Sequence, residues 1–338
     1  MESRSPEAID ANAGFQTRFQ STDVRKGAAT RELRVGLIIP PMTSELILVP
    51  DVVRELAERS VGVYFEGVAK HPRDATARDH IDLGRPVKAA ELLERFTSLQ
   101  GKKVLEIGSG FGINLATWIK QYQLDGYGTE RDAEGFGSSF KASRELFAAN
   151  GLDPERIIRV TDNTLPFADA TFDIVYAGNV LEHTESPIKV LTEAMRVLRP
   201  NGIFHAEVPN FFSYFEGHYL VLQPPLIWRW MLPVWVRLLG RDPSFAYTLR
   251  TEINPMWCKR AAKQVSKQYP AKLISVGSEI FLDRLKKPFE FDMERTASQL
   301  GMLIRLLQRL NVGNWVGHLI VVAQGHYPIY LTVRREPA

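Results

Sequence analysis

The sequence of 338 residues contains a single cysteine, Cys258. One thiol cannot form an internal disulfide and supplies at most one thiolate, so a disulfide framework and a multi-cysteine zinc site within the chain are both excluded. The first residues lack the basic and then apolar order of a secretory signal, and no apolar run reaches the length of a membrane-spanning helix. We therefore expect a cytoplasmic protein.

Charge is distributed unevenly, although the formal net charge is only +3. Residues 211–338 contain 17 Lys and Arg against 9 Asp and Glu, which leaves a charge of −5 for residues 1–210. A basic C-terminal part suits an anionic substrate or a membrane surface, but a solvated face explains it more simply. The sequence has no Asn-Pro-Pro-Tyr run and no dense basic helix, so we expect no nucleic-acid partner. It leaves the oligomeric state open.

Strands and helices alternate through the middle of the chain. Strands are predicted at 103–107, 126–129, 156–160, 172–177, 202–208, 273–276 and 328–334. Helices are predicted at 85–99, 113–121, 138–149, 186–198 and 254–267. The fourth of these is the best defined, because Ser186 can cap it and Pro187 suits its first turn. This order predicts a doubly wound α/β fold with a mainly parallel seven-stranded sheet, which binds ligands at the carboxyl ends of its strands.

The predicted organisation is an N-terminal extension over residues 1–84 and one domain over residues 85–338. The extension contains an apolar run at 35–41 and a short helix at 50–59, and the domain a further helix over 292–310. Residues 211–250 form a helical, aromatic-rich insertion after the fifth strand. Its prolines argue against a simple spanning helix, and its tryptophans suit a lid, an apolar substrate channel, a carbohydrate-stacking wall or a packed helical subdomain.

A glycine-rich loop, Glu106-Ile107-Gly108-Ser109-Gly110-Phe111-Gly112, follows the first predicted strand. Glycines at alternate positions allow a sharp turn and the close approach of a ligand. A dinucleotide-binding loop has its third glycine three residues after the second, whereas here the spacing is two and Glu106 precedes the first glycine. A carboxylate repels a pyrophosphate and attracts an amine. We therefore predict a site for S-adenosylmethionine, with this loop as its cradle.

Polar residues also end the next predicted strands. Glu130 ends the second strand, where a carboxylate can accept both ribose hydroxyls of an adenosine. Asp162 and Asn163 follow the third strand, where the Asp162 carboxylate could accept a hydrogen bond from the adenine amino group and the Asn163 backbone could serve the ring. These strand ends support the same cofactor.

The sequence resembles the class I S-adenosylmethionine-dependent methyltransferases, in the broad group that includes those of ubiquinone biosynthesis. The resemblance covers about a third of the chain, in the runs VLEIGSGFG (104–112), GTE (128–130), TDNTLPFADATFDIV (161–175), NVLEHTESP (179–187) and RVLRPNGI (196–203). It implies that Glu106, Gly108 and Gly110 line the methionine part of the cofactor and that Asn179 forms the floor near the sulfonium. It says little about the substrate.

Methyl transfer to a hydroxyl requires removal of a proton, so a base is expected near the cofactor. His218 is the first candidate, because it follows the fifth strand and Glu216 is near enough in sequence to orient it. His183 is the second, although its Leu-Glu-His run also suits helix capping or loop structure. His205 lies within a strand and suits a core position better. The spacing of histidines and carboxylates predicts no metal site.

The acceptor is the least determined feature. Residues 208–219 resemble bacterial methyltransferases of surface-saccharide pathways. With the basic, aromatic insertion, this resemblance leads us to expect O-methylation of a hydroxyl on a sugar, glycan or glycolipid precursor. One alternative is a quinone or lipid methyltransferase in peripheral contact with the inner membrane surface. Another is a regulatory protein that binds S-adenosylmethionine without catalysis.

Overall fold

The structure is a computed structural model that describes residues 47–131, 138–225, 227, 230–286, 306, 309–310 and 312–337. The apolar run predicted at 35–41 lies outside these residues, as does almost all of the helix predicted over 292–310.

The described part contains a seven-stranded sheet in the order β3-β2-β1-β4-β5-β9-β8. Its strands are β1 (Lys103–Ile107), β2 (Asp125–Arg131), β3 (Ile157–Val160), β4 (Phe172–Gly178), β5 (Leu198–Val208), β8 (Ala271–Ser275) and β9 (Ile329–Arg335). β9 pairs antiparallel with β5 and with β8, and all other neighbouring strands of this sheet are parallel. The predicted doubly wound, mainly parallel sheet is confirmed, and the order reverses between β1 and β4, where such sheets bind ligands.

Helices cover both faces of this sheet. They are α1 (Asp51–Ala57), α2 (Val63–Ala69), α3 (Arg73–His80), α4 (Gly84–Glu94), α5 (Ile113–Tyr122), α6 (Ser139–Ala149), α7 (Pro187–Val197), α8 (Met231–Leu238), α9 (Pro255–Val265), α10 (Ser278–Lys286) and α11 (Gly313–Val322). A π-helical turn, Glu58–Gly62, joins α1 to α2. No helix in the described ranges has the length and the apolar composition needed to cross a membrane.

Helix α7 illustrates how the apolar periodicity produces the fold. Val190, Leu191, Ala194 and Met195 recur on one face and are buried against the sheet. Pro187 occupies the first turn, as its fixed φ angle and missing N–H favour. The cap predicted for this helix is wrong: Ser186 is at the N-cap position, but its side chain makes no capping hydrogen bond.

The buried apolar side chains form separate cores around the sheet. One contains residues of α7, α9, β4, β5 and β9, and another joins α1 and α3 to α5 and α6. The second core thus includes side chains on both sides of the boundary predicted at residue 84, such as Val53 and Leu115. The described residues from 47 onwards belong to one compact unit.

The predicted helical insertion after β5 begins with an element that the sequence did not predict. It opens with a two-stranded hairpin of β6 (Phe215–Glu216) and β7 (Val221–Leu222), and only then continues into α8. The chain reverses here because Leu220 adopts a left-handed conformation and the buried Glu216 carboxylate accepts a hydrogen bond from the Tyr219 N–H. The hairpin holds Glu216 and His218 over the end of the sheet.

Candidate active site

The glycine-rich loop turns sharply at the end of β1. Gly108, Gly110 and Gly112 have φ angles of 66°, 54° and 77°, which other residues adopt at a cost. A Cβ atom at Gly108 would lie 2.6 Å from a methyl carbon of Val180, in the loop after β4. The backbone N–H groups of Gly108 and Ser109 both donate to the Thr129 carbonyl oxygen of β2. The loop therefore lies close to the ends of both neighbouring strands.

Glu106 is buried below this loop. One carboxylate oxygen accepts a hydrogen bond of 2.9 Å from the Asn114 side chain, and the other has no partner among the described residues. Burial raises the pKa of Glu106 to about 8; the Asn114 bond opposes this shift and the nearby Glu130 carboxylate adds to it. A buried carboxyl group with an unsatisfied oxygen can accept the ammonium group of a ligand.

Glu130 reaches the same loop from the end of β2. Its carboxylate accepts hydrogen bonds from the Gly110 N–H at 2.6 Å and from the Ser139 hydroxyl at 3.1 Å. Burial raises the pKa of this carboxyl group, although both hydrogen bonds oppose the shift. The residue predicted to hold the ribose thus contacts the predicted cofactor loop directly.

The remaining predicted cofactor residues lie in loops at the same edge of the sheet. Asp162 and Asn163 follow β3, and the Asp162 side chain closes a turn by accepting the Thr164 N–H. Asn179 follows β4 with a φ angle of 54°, and its N–H donates to the Glu207 carbonyl oxygen of β5. The carboxyl ends of β3, β2, β1 and β4, which are neighbours in the sheet, thus supply all the predicted residues.

Arg196 of α7 fixes the segment that follows Asp162 and Asn163. Its guanidinium donates to the carbonyl oxygens of Leu165 and Phe167 at 2.9 and 2.8 Å. It also pairs with the carboxylates of Asp169 and Glu193 at 2.7 and 2.8 Å. The sequence did not indicate this role of Arg196. Apart from Glu193 in the same helix, its partners are distant in the chain and reach it only in the folded protein.

The three predicted catalytic residues are brought together by the loops after β4 and β5. The carboxylate of Glu216 accepts a hydrogen bond of 2.7 Å from Nδ1 of His218. Nε2 of His218 lies 3.3 Å from Nε2 of His183. The phenyl ring of Phe245 lies against both imidazoles and covers them on one side. The expected contact between Glu216 and His218 is therefore present, while the role of each residue stays a prediction.

Glu182 completes this group and was not predicted. Its side chain is fully buried, and one oxygen lies 3.8 Å from Nε2 of His183 and 4.0 Å from Nε2 of His218. Burial raises the pKa of Glu182 to about 7, and the opposing attraction of His218 is smaller. For His218, burial lowers the pKa, but the carboxylates of Glu216 and Glu182 outweigh it and raise the value. The sequence held no signal for this role, because the contact of Glu182 with His218 forms only when the loops after β4 and β5 fold together.

His205 is placed in the core, as its position within a strand suggested. It is almost fully buried in β5, its Nδ1 pairs with the Thr332 hydroxyl of β9 at 2.9 Å, and its ring stacks on Tyr176. Burial lowers its pKa to about 3, so it is a neutral structural group at ordinary pH.

The sheet order and the glycine loop after β1 define a Rossmann-like domain of the methyltransferase type. The family model described as a methyltransferase domain matches residues 105–206. This match begins within β1 and ends within β5, and it includes the glycine loop, Glu130 and Glu182. It confirms the resemblance to the class I S-adenosylmethionine-dependent methyltransferases.

The chain is similar in sequence to proteins that are named methyltransferases. An uncharacterized methyltransferase of Mycolicibacterium vanbaalenii is 29% identical over 153 residues, which are 44% of this chain and 56% of that protein. The O-methyltransferase rstn1 of Aspergillus nomiae is 29% identical over 168 residues, 45% of this chain and 70% of that protein. This chain spans about half the length of the mycobacterial relatives that it matches.

A solved structure with similarity in fold is that of phosphoethanolamine N-methyltransferase 2 of Haemonchus contortus in complex with S-adenosyl-L-methionine. The two proteins are 16% identical, and the superposition covers 75% of this chain and 53% of that protein with a TM-score of 0.43. The domain assignment rests on the family match and on the sheet order.

Proposed function

We propose that this chain is an S-adenosylmethionine-dependent O-methyltransferase that acts on a hydroxyl of a sugar, glycan or glycolipid precursor. The observation that carries the proposal is the position of the His183, His218 and Glu182 side chains. They lie beyond the ends of β4 and β5, and Glu182 and His183 follow closely after Val180, whose side chain approaches Gly108.

The residues of the glycine loop fit S-adenosylmethionine. The unpartnered oxygen of Glu106 is available to an ammonium group, and the cofactor has one in its methionine part. Glu130 would hold the ribose hydroxyls, Asp162 and Asn163 the adenine, and Asn179 the floor near the sulfonium. The bound cofactor would supply a methyl group activated by its positive sulfur. The chain itself has to align the acceptor and exclude water.

Nitrogen and carboxylate groups in the cluster favour a hydroxyl acceptor. A hydroxyl is a weak nucleophile until its proton is removed, and His218 is oriented for that task because Glu216 binds its Nδ1. Nε2 of His218 therefore faces the cluster. A relative of this chain is named an O-methyltransferase, which agrees with this choice.

The test is incubation of the purified chain with isotope-labelled cofactor and a panel of acceptors: free sugars, glycans and lipid-linked saccharides. We expect a labelled product that is heavier by one methylene unit, detected by mass spectrometry, with a saccharide acceptor. His218→Ala is expected to lower turnover roughly 10²-fold with little change in cofactor affinity. His318→Ala, which alters an exposed histidine of α11, is the matched control. Labelling of quinones or lipids alone would contradict the proposed acceptor.

One observation favours the second candidate, a quinone or lipid methyltransferase at a membrane surface. Trp230, Val234 and Leu238, at and within α8, are 68%, 52% and 74% exposed, and their spacing places them on one side of the helix. Flotation with anionic liposomes in the absence of substrate separates the candidates. A membrane enzyme would float and lose this behaviour in the Trp230→Ser, Leu238→Ser double variant, whereas an enzyme of soluble saccharides would stay at the bottom.

A further inference from the structure

Three atoms with the chemistry of metal ligands converge where the loops after β4 and β5 meet. Nε2 of His183 and Nε2 of His218 are 3.3 Å apart, and one oxygen of Glu182 lies 3.8 and 4.0 Å from them. The point equidistant from three atoms with these separations lies about 2.2 Å from each, close to the bond lengths that zinc forms with histidine nitrogen and carboxylate oxygen.

The Glu182 carboxylate lacks any other partner to compensate its burial. Its side chain is fully buried, and neither oxygen has a hydrogen-bond partner among the described residues. Burial of a carboxylate without a compensating partner is unfavourable. A cation bound between this oxygen and the two imidazoles would remove the cost. The carboxylate therefore indicates a positively charged ligand at this position.

The orientation of His218 is that of a histidine prepared to bind a metal. Its Nδ1 is 2.7 Å from the Glu216 carboxylate, and such an acceptor places the proton on Nδ1 and leaves the lone pair on Nε2. The second oxygen of Glu216 accepts the Tyr219 N–H at 2.6 Å, so the carboxylate is itself held in place. A carboxylate behind the imidazole is the usual second partner of a metal-binding histidine.

We propose that Glu182, His183 and His218 bind a divalent transition-metal ion of the zinc type, with a fourth coordination position left for water or the acceptor. Two histidines and one glutamate with an open position form a ligand set of catalytic zinc sites. Nitrogen ligands disfavour magnesium and calcium, which prefer oxygen. The prediction of no metal site followed sequence spacing, and the ligand His218 is 35 residues from His183.

This inference rests on the proposed function for its role. An acceptor hydroxyl in the open position would be bound to the ion through its oxygen, which lowers the pKa of the hydroxyl. The O–H bond would break with its proton passing to water, and the oxygen would form a bond to the methyl carbon. The bond from that carbon to the sulfur of the cofactor would break, and its electron pair would stay on sulfur, so that S-adenosylhomocysteine would leave. With the ion bound, Nε2 of His218 is a ligand and no longer a proton acceptor. The Phe245 ring beside both imidazoles restricts water on that side.

The experiment is zinc binding by the full chain, freed of metal with a chelator, dialysed and titrated with zinc chloride by calorimetry. We expect saturable zinc binding, and we expect that magnesium chloride does not displace the bound zinc. Glu182→Gln, His183→Asn and His218→Ala should each weaken zinc binding by roughly 100-fold or more, and Glu216→Gln by roughly 10- to 100-fold. His318→Ala removes an exposed histidine of α11 and should bind zinc like the wild type.

Circular dichroism and thermal unfolding show which variants fold. If the other variants do not fold, His183→Asn still provides the test. About a third of the His183 side chain is exposed, so we expect this variant to fold. Wild-type binding no tighter than that of His183→Asn would overturn the metal site and leave a hydrogen bond between the imidazoles. Methyl transfer that persists in chelator, without zinc binding, would overturn the metal site but keep the proposed function. Zinc binding that depends on Glu182, His183 and His218, without methyl transfer to any acceptor, would keep the metal site and overturn the proposed function.

Discussion

Replacement of Gly108 by alanine tests whether the glycine loop needs its conformation and its close approach to the loop after β4. Gly108 has a φ angle of 66°, and left-handed backbone costs a residue with a Cβ atom roughly 1–2 kcal/mol. The new Cβ would also lie 2.6 Å from one Val180 methyl carbon and 3.3 Å from the other. Either Val180 leaves its present rotamer or the two loops separate, and such overpacking costs roughly 1–3 kcal/mol.

The free energy of unfolding should therefore fall by roughly 2–5 kcal/mol in Gly108→Ala, measured by urea denaturation. Gly101→Ala is the matched control, because Gly101 has the same φ angle of 66° and no atom within 4 Å of an added Cβ. Its loss should be only the backbone part, roughly 1–2 kcal/mol. Combining Gly108→Ala with Val180→Ala should recover stability relative to the sum of the single changes. Equal losses at Gly108 and Gly101 would refute the close approach of the two loops.

Three further predictions concern groups around the cofactor loop. Glu130→Ala should weaken S-adenosylmethionine binding by roughly 1–3 kcal/mol in calorimetry, and an unchanged affinity would remove Glu130 from the site. Burial raises the pKa of Glu106 from 4.5 to about 8, so the native state holds this proton more tightly than the unfolded state, and stability should fall as pH rises through that range. Glu106→Gln has no titrating group at this position, so its free energy of unfolding relative to that of the wild type should increase from pH 4.5 to 8. A difference between the two free energies that does not change with pH would contradict the argument from burial. Arg196→Lys should lower the free energy of unfolding by roughly 2–4 kcal/mol in urea denaturation and should weaken cofactor binding. The reason is that a lysine cannot bind two carbonyl oxygens and two carboxylates together. Wild-type stability and affinity in this variant would show that Arg196 does not fix the segment after Asp162.

The sequence predicted most of the sheet because local patterns determine it. The run from Lys103 to Ile107 is apolar enough to be a buried strand, and the apolar face of α7 repeats with helical period. Both are visible without knowledge of any tertiary contact. The cofactor residues follow from the same reasoning, since polar residues at the ends of neighbouring parallel strands must lie at one edge of the sheet.

The hairpin after β5 and the role of Glu182 could not be predicted in this way. The hairpin depends on the left-handed Leu220 and on a hydrogen bond to Glu216, neither of which has a periodic signal. Glu182 acquires its significance from His218, which is distant in the chain and reaches it only when the loops after β4 and β5 fold together. Residues joined by tertiary contact alone leave no pattern in a single sequence.

The most direct test of the account is calorimetric titration of the purified chain with S-adenosylmethionine and, separately, with NAD. The spacing of the glycines and the buried carboxyl group of Glu106 predict saturable binding of S-adenosylmethionine and none of NAD. Glu106→Gln should bind S-adenosylmethionine more weakly, since the amide cannot carry the negative charge that attracts the ammonium group. Binding of NAD, or the absence of S-adenosylmethionine binding by the folded wild type, would contradict the central claim.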